Sequence, residues 1–201
     1  MREKVLSHFK KNDPKLYSVA LLINYKIRPS RGNNYFRNIT RSIIGQQLSV
    51  KAASTIFGRF ESLIHGEIVP ENILSLSLHE MRDVGMSHAK TRYVQEFARM
   101  VQDKKINLEV LPEMSDIEAT RELVKIKGVG QWTAEMFLMF SLNRPDIFSH
   151  GDAGLQRAMK QIYSLNEYDY DIFEKISKKW SPYRTYACDI LWQSLDNKPM
   201  P

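Results

Sequence analysis

Cysteine is almost absent from this sequence, and it contains no long hydrophobic run. Cys188 is the single cysteine among 201 residues. This excludes an intramolecular disulfide and leaves no set of thiolates for a structural zinc or an iron–sulfur cluster. The longest apolar runs, residues 19–23 and 136–140, are too short for a signal-peptide core or a membrane span. We therefore expect a soluble protein in a reducing, intracellular compartment.

Glycine and proline are also scarce, at nine and eight residues, which excludes collagen and low-complexity disorder. Hydrophobic residues make up 43% of the chain and charged residues 26%, the balance of a globular protein. A chain of this length buries a sizeable core without disulfides or a structural metal. It does so either as one domain or as two tightly coupled lobes.

Acidic residues are rare in the first third of the chain. Residues 1–60 contain twelve lysines and arginines but only Glu3 and Asp13, whereas the whole protein has a formal net charge of +6. Such an asymmetry favours a face that binds a polyanion, because neutralising phosphates and releasing their counterions is the main sequence-independent source of nucleic-acid affinity. A well-solvated basic surface is the alternative.

Apolar residues recur at helical spacing, and sustained apolar–polar alternation is nearly absent, so the sequence predicts an all-α protein. Serines at positions 49, 87, 115 and 181 are predicted N-caps, and Glu118 completes a capping box with Ser115. The predicted helices cover residues 35–44, 50–64, 88–101, 116–126, 131–140, 155–162, 172–179 and 182–191.

The segment LVKIKGVGQWTA, residues 123–134, is the most informative. Gly128 and Gly130 break one helix and open the next within four residues, which is the pattern of a helix-hairpin-helix. Glycine at both positions removes Cβ atoms where a backbone would approach, and the second helix then points its first N–H groups at a phosphate. A nucleotide-cofactor loop is excluded because the third glycine is missing and a helix precedes the motif. A tight turn between packed helices remains the alternative.

Asp152 follows the loop after this motif, where a helix N-cap is expected. A cap is the ordinary role of aspartate there. A carboxylate at the positive end of a helix also stays ionised, which suits a residue that faces a developing cation. Asp146 is the other carboxylate of the same loop.

Four segments in this order resemble the helix-hairpin-helix DNA glycosylases, in the 3-methyladenine DNA glycosylase II branch. They are RSIIGQQLSV, LVKIKGVGQWTA, GDAGL and WSPYRTYACDILW, and the resemblance runs over residues 35–192. It implies an all-α, compact, two-lobed helical bundle without the N-terminal β domain of larger bacterial relatives. Residues 1–201 would then form one glycosylase domain, with an active-site cleft between two helical lobes.

The resemblance implies a monofunctional enzyme that flips alkylated purines from duplex DNA and cuts their N-glycosidic bonds. Its substrates would be 3-methyladenine and 7-methylguanine, and Asp152 matches the catalytic aspartate of the family. Relatives that also cut the strand carry a lysine where this chain has Trp132, so we expect no lyase activity. An alkylated base is already cationic and leaves without a strong general acid, so one carboxylate suffices.

By the same resemblance, Trp132 and Trp192 are candidate base-pocket residues whose indoles attract a cationic base. Tyr35 and Phe36 are candidates for the opposite wall. Packing in the core is the alternative for these aromatic residues. Met136, also a candidate pocket residue, and Gln193 stand where a bacterial relative has tyrosines, which indicates a narrower range of lesions.

Residues of two turns are the predicted DNA contacts. Gln47 or Leu48 would fill the gap left by the flipped base, although a buried amide that satisfies the turn backbone is the alternative for Gln47. In the hairpin, the predicted DNA-binding residues are Gly128, Gly130, Gln131 and Thr133.

No cofactor is expected to be required. The five histidines show no metal-ligand spacing, and Cys188 is expected in the core. The resemblance allows a monovalent cation on the hairpin carbonyls of Val124, Ile126 and Val129.

A helix-hairpin-helix module that binds DNA without catalysis is the competing interpretation, based on the same hairpin and the same basic segment. In both interpretations the partner is double-stranded DNA, and no membrane is involved. We expect a monomer, located in the cytoplasm with the nucleoid in a prokaryote and in the nucleus in a eukaryote.

Overall fold

The computed structural model describes residues 1–196, and it confirms the all-α prediction. Over this range the chain forms twelve α-helices and one short 3-10 helix, with no strand. None of these helices is long and apolar enough to cross a membrane. The chain divides into two compact units. The first combines Met1–Ser30 with the chain from Asn143 onward, and the second is Arg31–Leu142.

The second unit is a continuous stretch of chain. In it α3 packs on α4, α7 and α9, α7 packs on α5 and α6, and α8 packs on α9. Its helices are α3 Tyr35–Gly45, α4 Val50–Ile64, α5 Pro70–Leu74, α6 Leu78–Asp83, α7 His88–Gln102, α8 Asp116–Leu123 and α9 Gln131–Phe140, with the 3-10 helix at Leu111–Glu113.

Local sequence signals start most helices of the second unit. The Ser49 side chain caps α4 by accepting the Ala52 N–H, and Ser87 caps α7 in the same way. The capping box of Ser115 and Glu118 is present at the start of α8. These N-cap predictions are confirmed, because a side-chain acceptor and the orphan N–H groups of the first turn lie within a few residues of each other.

The first unit consists of two chain segments, one that precedes the second unit in the sequence and one that follows it. In it α1 packs on α2, α10 packs on α12, and α2 contacts both α10 and α12. Its helices are α1 Arg2–Asn12, α2 Pro14–Leu22, α10 Ala153–Tyr163, α11 Tyr170–Lys178 and α12 Arg184–Asp196.

A buried carboxylate holds the two parts of this unit together. Asp13 caps α2 through the Leu16 N–H. It also accepts hydrogen bonds from the Tyr163 hydroxyl at 2.6 Å and the Trp180 indole N–H at 2.8 Å. Because Asp13 is buried, these donors compensate for the lost hydration of its charge.

Two helix boundaries were predicted wrongly. α8 ends at Leu123 rather than Ile126. Ile126 lies in the turn after the helix, and its apolar side chain is buried there, so its position fits the apolar pattern without being helical. Ser181 does not cap α12, which begins at Arg184. Its hydroxyl donates to Asp146 at 2.8 Å instead, a long-range partner that local sequence does not indicate.

Candidate functional site

The hairpin turn between α8 and α9 requires glycine at position 128 for two reasons. Gly128 has φ +88°, a conformation that L side chains rarely adopt. A Cβ atom there would also lie 2.5 Å from Cδ2 of Tyr93. The requirement for glycine at position 128 thus comes from its backbone conformation and from the ring of Tyr93, and the predicted approach of a backbone stays a prediction.

Gly130 has a different environment. It is the N-cap residue of α9 with φ −94°, and no atom of the described protein lies within 4 Å of a Cβ built on it. This leaves room for the approaching backbone that the sequence predicts here. Being a glycine, Gly130 has no side chain with which to cap α9. The Gln131 side chain turns along the helix and donates to Glu135 at 2.9 Å. The first-turn N–H groups of α9 therefore lie behind open space at Gly130, the arrangement that binds anions at helix N-termini.

The turn between α3 and α4 carries the two candidate wedge residues. Gln47 is exposed and has φ +57°, and Leu48 is 37% exposed. The left-handed backbone at Gln47 lets the chain reverse within the short loop before Ser49. Both side chains are therefore presented on a tight turn, and the alternative of a buried amide does not apply to Gln47.

The preceding glutamine makes the hydrogen bonds that the buried-amide alternative assigned to Gln47. Nε2 of Gln46 donates to the Gly128 carbonyl at 2.6 Å and to Oγ1 of Thr133 at 3.3 Å. Lys90 completes the arrangement, because its ammonium donates to the carbonyls of Ile44 at 2.9 Å and Gln46 at 2.6 Å. Sequence reasoning missed Gln46 and Lys90. The glutamine pair was a signal, but it did not show which amide faces the hairpin.

Asp152 is the N-cap of α10 and is only 7% exposed. Its Oδ1 accepts the Leu155 N–H at 2.7 Å and the Trp192 indole N–H at 3.0 Å. The carboxylate is thus fixed by a backbone donor from its own helix and a side-chain donor from α12. A cap alone needs only the first of these bonds, so the second fixes the orientation of the carboxylate beyond what capping requires.

Gly154 is a site residue that sequence reasoning missed. A Cβ atom at this position would lie 3.0 Å from Oδ1 of Asp152 and 3.2 Å from Cδ1 of Trp192. Glycine therefore leaves the space in which the indole and the carboxylate meet. The segment GDAGL carried this signal, but only the position of α12 shows what the glycine accommodates.

Trp192 is also held from the segment that precedes α3. The Arg28 guanidinium lies 6.0 Å from the centroid of the Trp192 ring, within the range of a cation–π contact. Arg28 is itself paired with buried Asp189 at 2.7 Å. Gln193 donates to Asp189 at 3.1 Å and to the Lys26 carbonyl at 2.8 Å, so this residue ties α12 to the same segment.

The other candidate pocket residues lie in the second unit, whereas Trp192 lies in the first. Trp132 is 46% exposed in the first turn of α9. Tyr35 is half-buried and packs edge-on against Phe137, with ring centroids 5.7 Å apart. Met136 is buried. These placements leave the pocket prediction open for Trp132 and Tyr35.

Phe36 occupies the core of the second unit. It is 9% exposed and stacks on Phe97, with ring centroids 4.9 Å apart. This placement favours a packing role over the predicted role in the wall of a base pocket.

Asp146 is engaged in a structural ion pair. Arg184 donates to it from Nε at 2.9 Å and from Nη2 at 3.1 Å, in addition to the bond from Ser181. Burial raises the pKa of Asp146, but these hydrogen bonds outweigh it, so the pKa lies below its usual value. The two carboxylates of this loop are thereby distinguished, since Asp146 holds the start of α12 and Asp152 faces Trp192.

Two further residues near Asp152 have structural environments. Cys188 is fully buried, and burial raises the pKa of its thiol, so it has the character of a core residue. His150 lies 3.0 Å from Glu174 and 3.2 Å from the Tyr168 hydroxyl, and its ring stacks on Tyr170. These contacts anchor the loop that leads into Asp152.

The structure places the three predicted cation-binding carbonyls in the turn that follows α8. The Ile126 carbonyl accepts the Val129 N–H at 2.9 Å, and Val124 is the C-cap residue of α8. Between residues 1 and 196 the structure shows no group of three or more His, Cys, Asp or Glu side chains that could hold a metal.

Comparison with known proteins identifies the family. Residues 40–182 match the model of the HhH-GPD superfamily of base excision DNA repair proteins. DNA-3-methyladenine glycosylase 1 of Schizosaccharomyces pombe is 32% identical over 183 residues, which cover 88% of this chain and 79% of the yeast protein.

Solved structures agree. A DNA-3-methyladenine glycosidase from Bacillus halodurans superimposes with a TM-score of 0.82 at 36% identity, over 94% of this chain and 87% of that one. A Schizosaccharomyces pombe 3-methyladenine DNA glycosylase in complex with abasic DNA gives a TM-score of 0.83 at 29% identity, over 94% and 95% of the two chains. The protein therefore belongs to the HhH-GPD superfamily of base excision DNA repair proteins.

Proposed function

We propose that this protein is a monofunctional DNA glycosylase that flips alkylated purines out of duplex DNA and hydrolyses their N-glycosidic bonds. Its substrates are 3-methyladenine and 7-methylguanine, and the reaction initiates base excision repair. The observation that carries this proposal is the buried Asp152 carboxylate, which the Leu155 N–H and the Trp192 indole hold in one orientation.

Asp152 supplies the electrostatic part of the mechanism. When the bond to an alkylated base breaks, positive charge develops on the sugar, and a fixed carboxylate stabilises that charge without having to reorganise. The same carboxylate orients or deprotonates the attacking water. The departing base is already cationic, so the reaction needs no second carboxylate as a strong acid.

Binding of the flipped base is assigned to aromatic residues. Trp132, in the second unit, is exposed, and Trp192, in the first unit, is half-buried. The indole of each is a candidate to offer a π-face to an electron-poor cationic base. In the duplex, Gln47 or Leu48 takes the position that the base leaves, which offsets part of the unstacking free energy.

The hairpin grips the DNA backbone. The first-turn N–H groups of α9, including that of Thr133, are the donors for one phosphate, and the open space at Gly130 admits it. This contact is independent of base sequence, as expected for a protein that searches duplex DNA for damage.

The proposal excludes strand cleavage through a Schiff base. Position 132 carries an indole instead of an amine, so no nucleophile is available there to attack the sugar. The products are the free base and an intact abasic strand.

A monovalent cation is proposed at the carbonyls of Val124, Ile126 and Val129. These are neutral, hard oxygen donors from one turn, which suits an alkali cation. The Ile126 carbonyl accepts one hydrogen bond and keeps a second lone pair. When bound, the cation would stiffen the turn that presents the phosphate-binding N–H groups. Replacing potassium by choline at constant ionic strength should then weaken binding to duplex DNA.

The activity is tested by incubating the protein with methylated duplex DNA, heating the products in alkali and counting strand breaks. Breaks above a buffer control are expected, together with release of free 3-methyladenine. No breaks with normal DNA binding would favour the module without catalysis. A covalent complex trapped by borohydride would instead indicate a lyase. The substrate places the protein with chromosomal DNA, in the nucleoid of a prokaryote or the nucleus of a eukaryote.

A further inference from the structure

Two turns of the second unit, each a proposed DNA contact, are joined by one side chain. We propose that Gln46 is a positioning residue that couples the hairpin grip on a DNA phosphate to insertion of the wedge turn, residues 46–48, into the base stack. This inference rests on the proposed function, because it concerns how the same protein opens duplex DNA.

The contacts fix Gln46 at two points. Its side-chain amide donates to the Gly128 carbonyl at 2.6 Å and to the Thr133 hydroxyl at 3.3 Å, so it holds both the turn of the hairpin and the first turn of α9. Its own carbonyl accepts the Lys90 ammonium at 2.6 Å. Gln46, the first residue of the wedge turn, is thus held through its backbone carbonyl by α7 and through its side chain by the hairpin.

Lys90 reinforces the link from α7. Its ammonium reaches the carbonyls of Ile44 and Gln46 at the end of α3, where the helix dipole favours a positive charge. Burial lowers the pKa of Lys90. Tyr93, one turn further along α7, packs against Gly128. The same helix therefore supports the wedge turn through Lys90 and the hairpin through Tyr93.

The geometry has a consequence for DNA opening. Gln47 directly follows the braced residue and has the left-handed conformation with φ +57°. A hairpin seated on a phosphate therefore sets the position of Gln47 and Leu48, because Gln46 permits little independent movement of the two turns. Binding energy gained at the backbone is then available to open the base stack.

A purely structural role is the competing explanation, and the second unit offers a matched control. Gln95 is a buried glutamine whose Nε2 donates to the Leu76 carbonyl at 2.7 Å, so it also joins two elements through one amide. This hydrogen bond involves neither the wedge turn nor the hairpin. With little change in side-chain length, Gln46→Met removes the two amide hydrogen bonds to Gly128 and Thr133, and Gln95→Met removes the one to Leu76.

The test uses the full protein and a duplex in which 2-aminopurine lies opposite a stable abasic analogue. Its fluorescence reports entry of the wedge into the gap. For Gln46→Met we expect the fluorescence change at saturating protein to fall at least about twofold. Single-turnover release of base from methylated duplex should slow about 5- to 10-fold, because the hydrogen bonds to Gly128 and Thr133 are lost. Affinity for undamaged duplex should stay within about twofold of wild type, because the phosphate donors remain.

Gln95→Met should lower thermal stability to a similar extent but leave the fluorescence amplitude and the release rate near wild type. A second comparison adds Gln46→Met to the double variant Gln47→Ala, Leu48→Ala. Gln46→Met should then cost no further activity, because the wedge through which it acts is gone.

Four outcomes are decisive. Equal fluorescence changes for the two methionine variants, full additivity with the wedge substitutions, or no fluorescence change with wild-type protein would each overturn the coupling. Wild-type protein that gives the fluorescence change but releases no methylated base would overturn the proposed enzyme activity and leave the coupling standing.

Discussion

The N-termini of α9 and α10 are the same structural feature used in two ways. The first residue of α9 follows Gly130, which has no side chain to cap the helix. The first residue of α10 follows Asp152, whose carboxylate accepts the Leu155 N–H. We propose that the first helix end binds an anion from outside the protein, whereas the second has a carboxylate of the protein itself.

The two helix ends suit two different negative charges, a DNA phosphate and a carboxylate of the protein. A phosphate has to dissociate after each reaction, and the proposed phosphate site is a helix N-terminus whose N-cap residue is a glycine. The proposed catalytic carboxylate has to keep one orientation, and Asp152 is buried, caps its own helix and is held by Trp192. Substitutions that make either helix end resemble the other should separate these two functions.

The largest effect is expected for Asp152→Asn, which removes the charge at α10 but keeps the cap. An asparagine Oδ1 can still accept both the Leu155 N–H and the Trp192 N–H. Release of 3-methyladenine should fall at least about 100-fold, because the developing sugar cation loses its electrostatic partner. Binding to damaged DNA should stay equal or tighten, since a negative charge is lost. Single-turnover release assays and a binding titration measure both.

Asp146→Asn is the matched control for that experiment. It should retain most of the base-release rate, because Asp146 pairs with Arg184 and not with a residue at the proposed site. A fully active Asp152→Asn with an inactive Asp146→Asn would move the catalytic assignment. Two active variants would refute the mechanism.

Gly130→Asp makes the end of α9 resemble that of α10. The position has open space and the backbone of an N-cap residue, so the carboxylate should cap the helix and leave the melting temperature unchanged or raised. It would also occupy and repel the phosphate site, which should weaken binding of damaged and undamaged duplex alike by about 2 to 4 kcal/mol.

Gly130→Ala, which adds no charge, is the control for this variant. A normal affinity of Gly130→Asp would show that the hairpin is only a structural turn. For the wild-type protein, the logarithm of affinity should fall steeply with the logarithm of salt concentration, because several phosphates are neutralised.

Gly128→Ala should damage the fold of the hairpin instead of its charge. The substitution forces an L residue into φ +88° and places a methyl group 2.5 Å from an atom of Tyr93. We expect a loss of about 2 kcal/mol in the free energy of unfolding, measured by urea denaturation. Stability equal to wild type would mean that Tyr93 moves aside at no cost.

A smaller effect is expected for Gly154→Ala. The added methyl group would crowd the junction of Asp152 and Trp192 and disturb the orientation of the carboxylate. Base release should slow about 10-fold with little change in duplex affinity, because a misplaced catalytic group costs rate more than binding. An unchanged rate would show that the indole does not position Asp152.

The smallest effect concerns the acid dependence of stability. Hydrogen bonds from Arg184 and Ser181 hold the pKa of Asp146 below the usual value of 3.8, so the folded protein binds this proton less readily than the unfolded chain. The ion pair should therefore stabilise the protein above about pH 4 and lose its contribution as the pH falls through the lowered pKa. Asp146→Asn should flatten this part of the profile and cost on the order of 1 kcal/mol at pH 7.

Features determined by neighbouring residues could be predicted from the sequence. The capping box of Ser115 and Glu118, the Ser49 cap and the Asp152 cap each join groups three residues apart. The helix-hairpin-helix was recognised because its two glycines lie within one short segment.

Features determined by residues far apart in the sequence could not be predicted in this way. Gln46 meets Gly128 across 82 positions, and Gly154 is restricted by a tryptophan of α12. Ser181 bonds to Asp146 instead of capping the helix that follows it. In each case the partner is determined by packing, which the spacing of residues along one helix does not specify.

The order of the two units along the chain has a consequence for how the protein is made. Residues 31–142 are one continuous stretch and are synthesised before any residue that follows them, and compact units generally fold in the order in which they are made. The other unit depends on contacts such as those from Asp13 to Tyr163 and Trp180, which span 150 and 167 positions. Such long-range contacts form slowly. We therefore expect the nascent chain to form its proposed DNA-binding hairpin first, and the site of the proposed catalytic Asp152 carboxylate last.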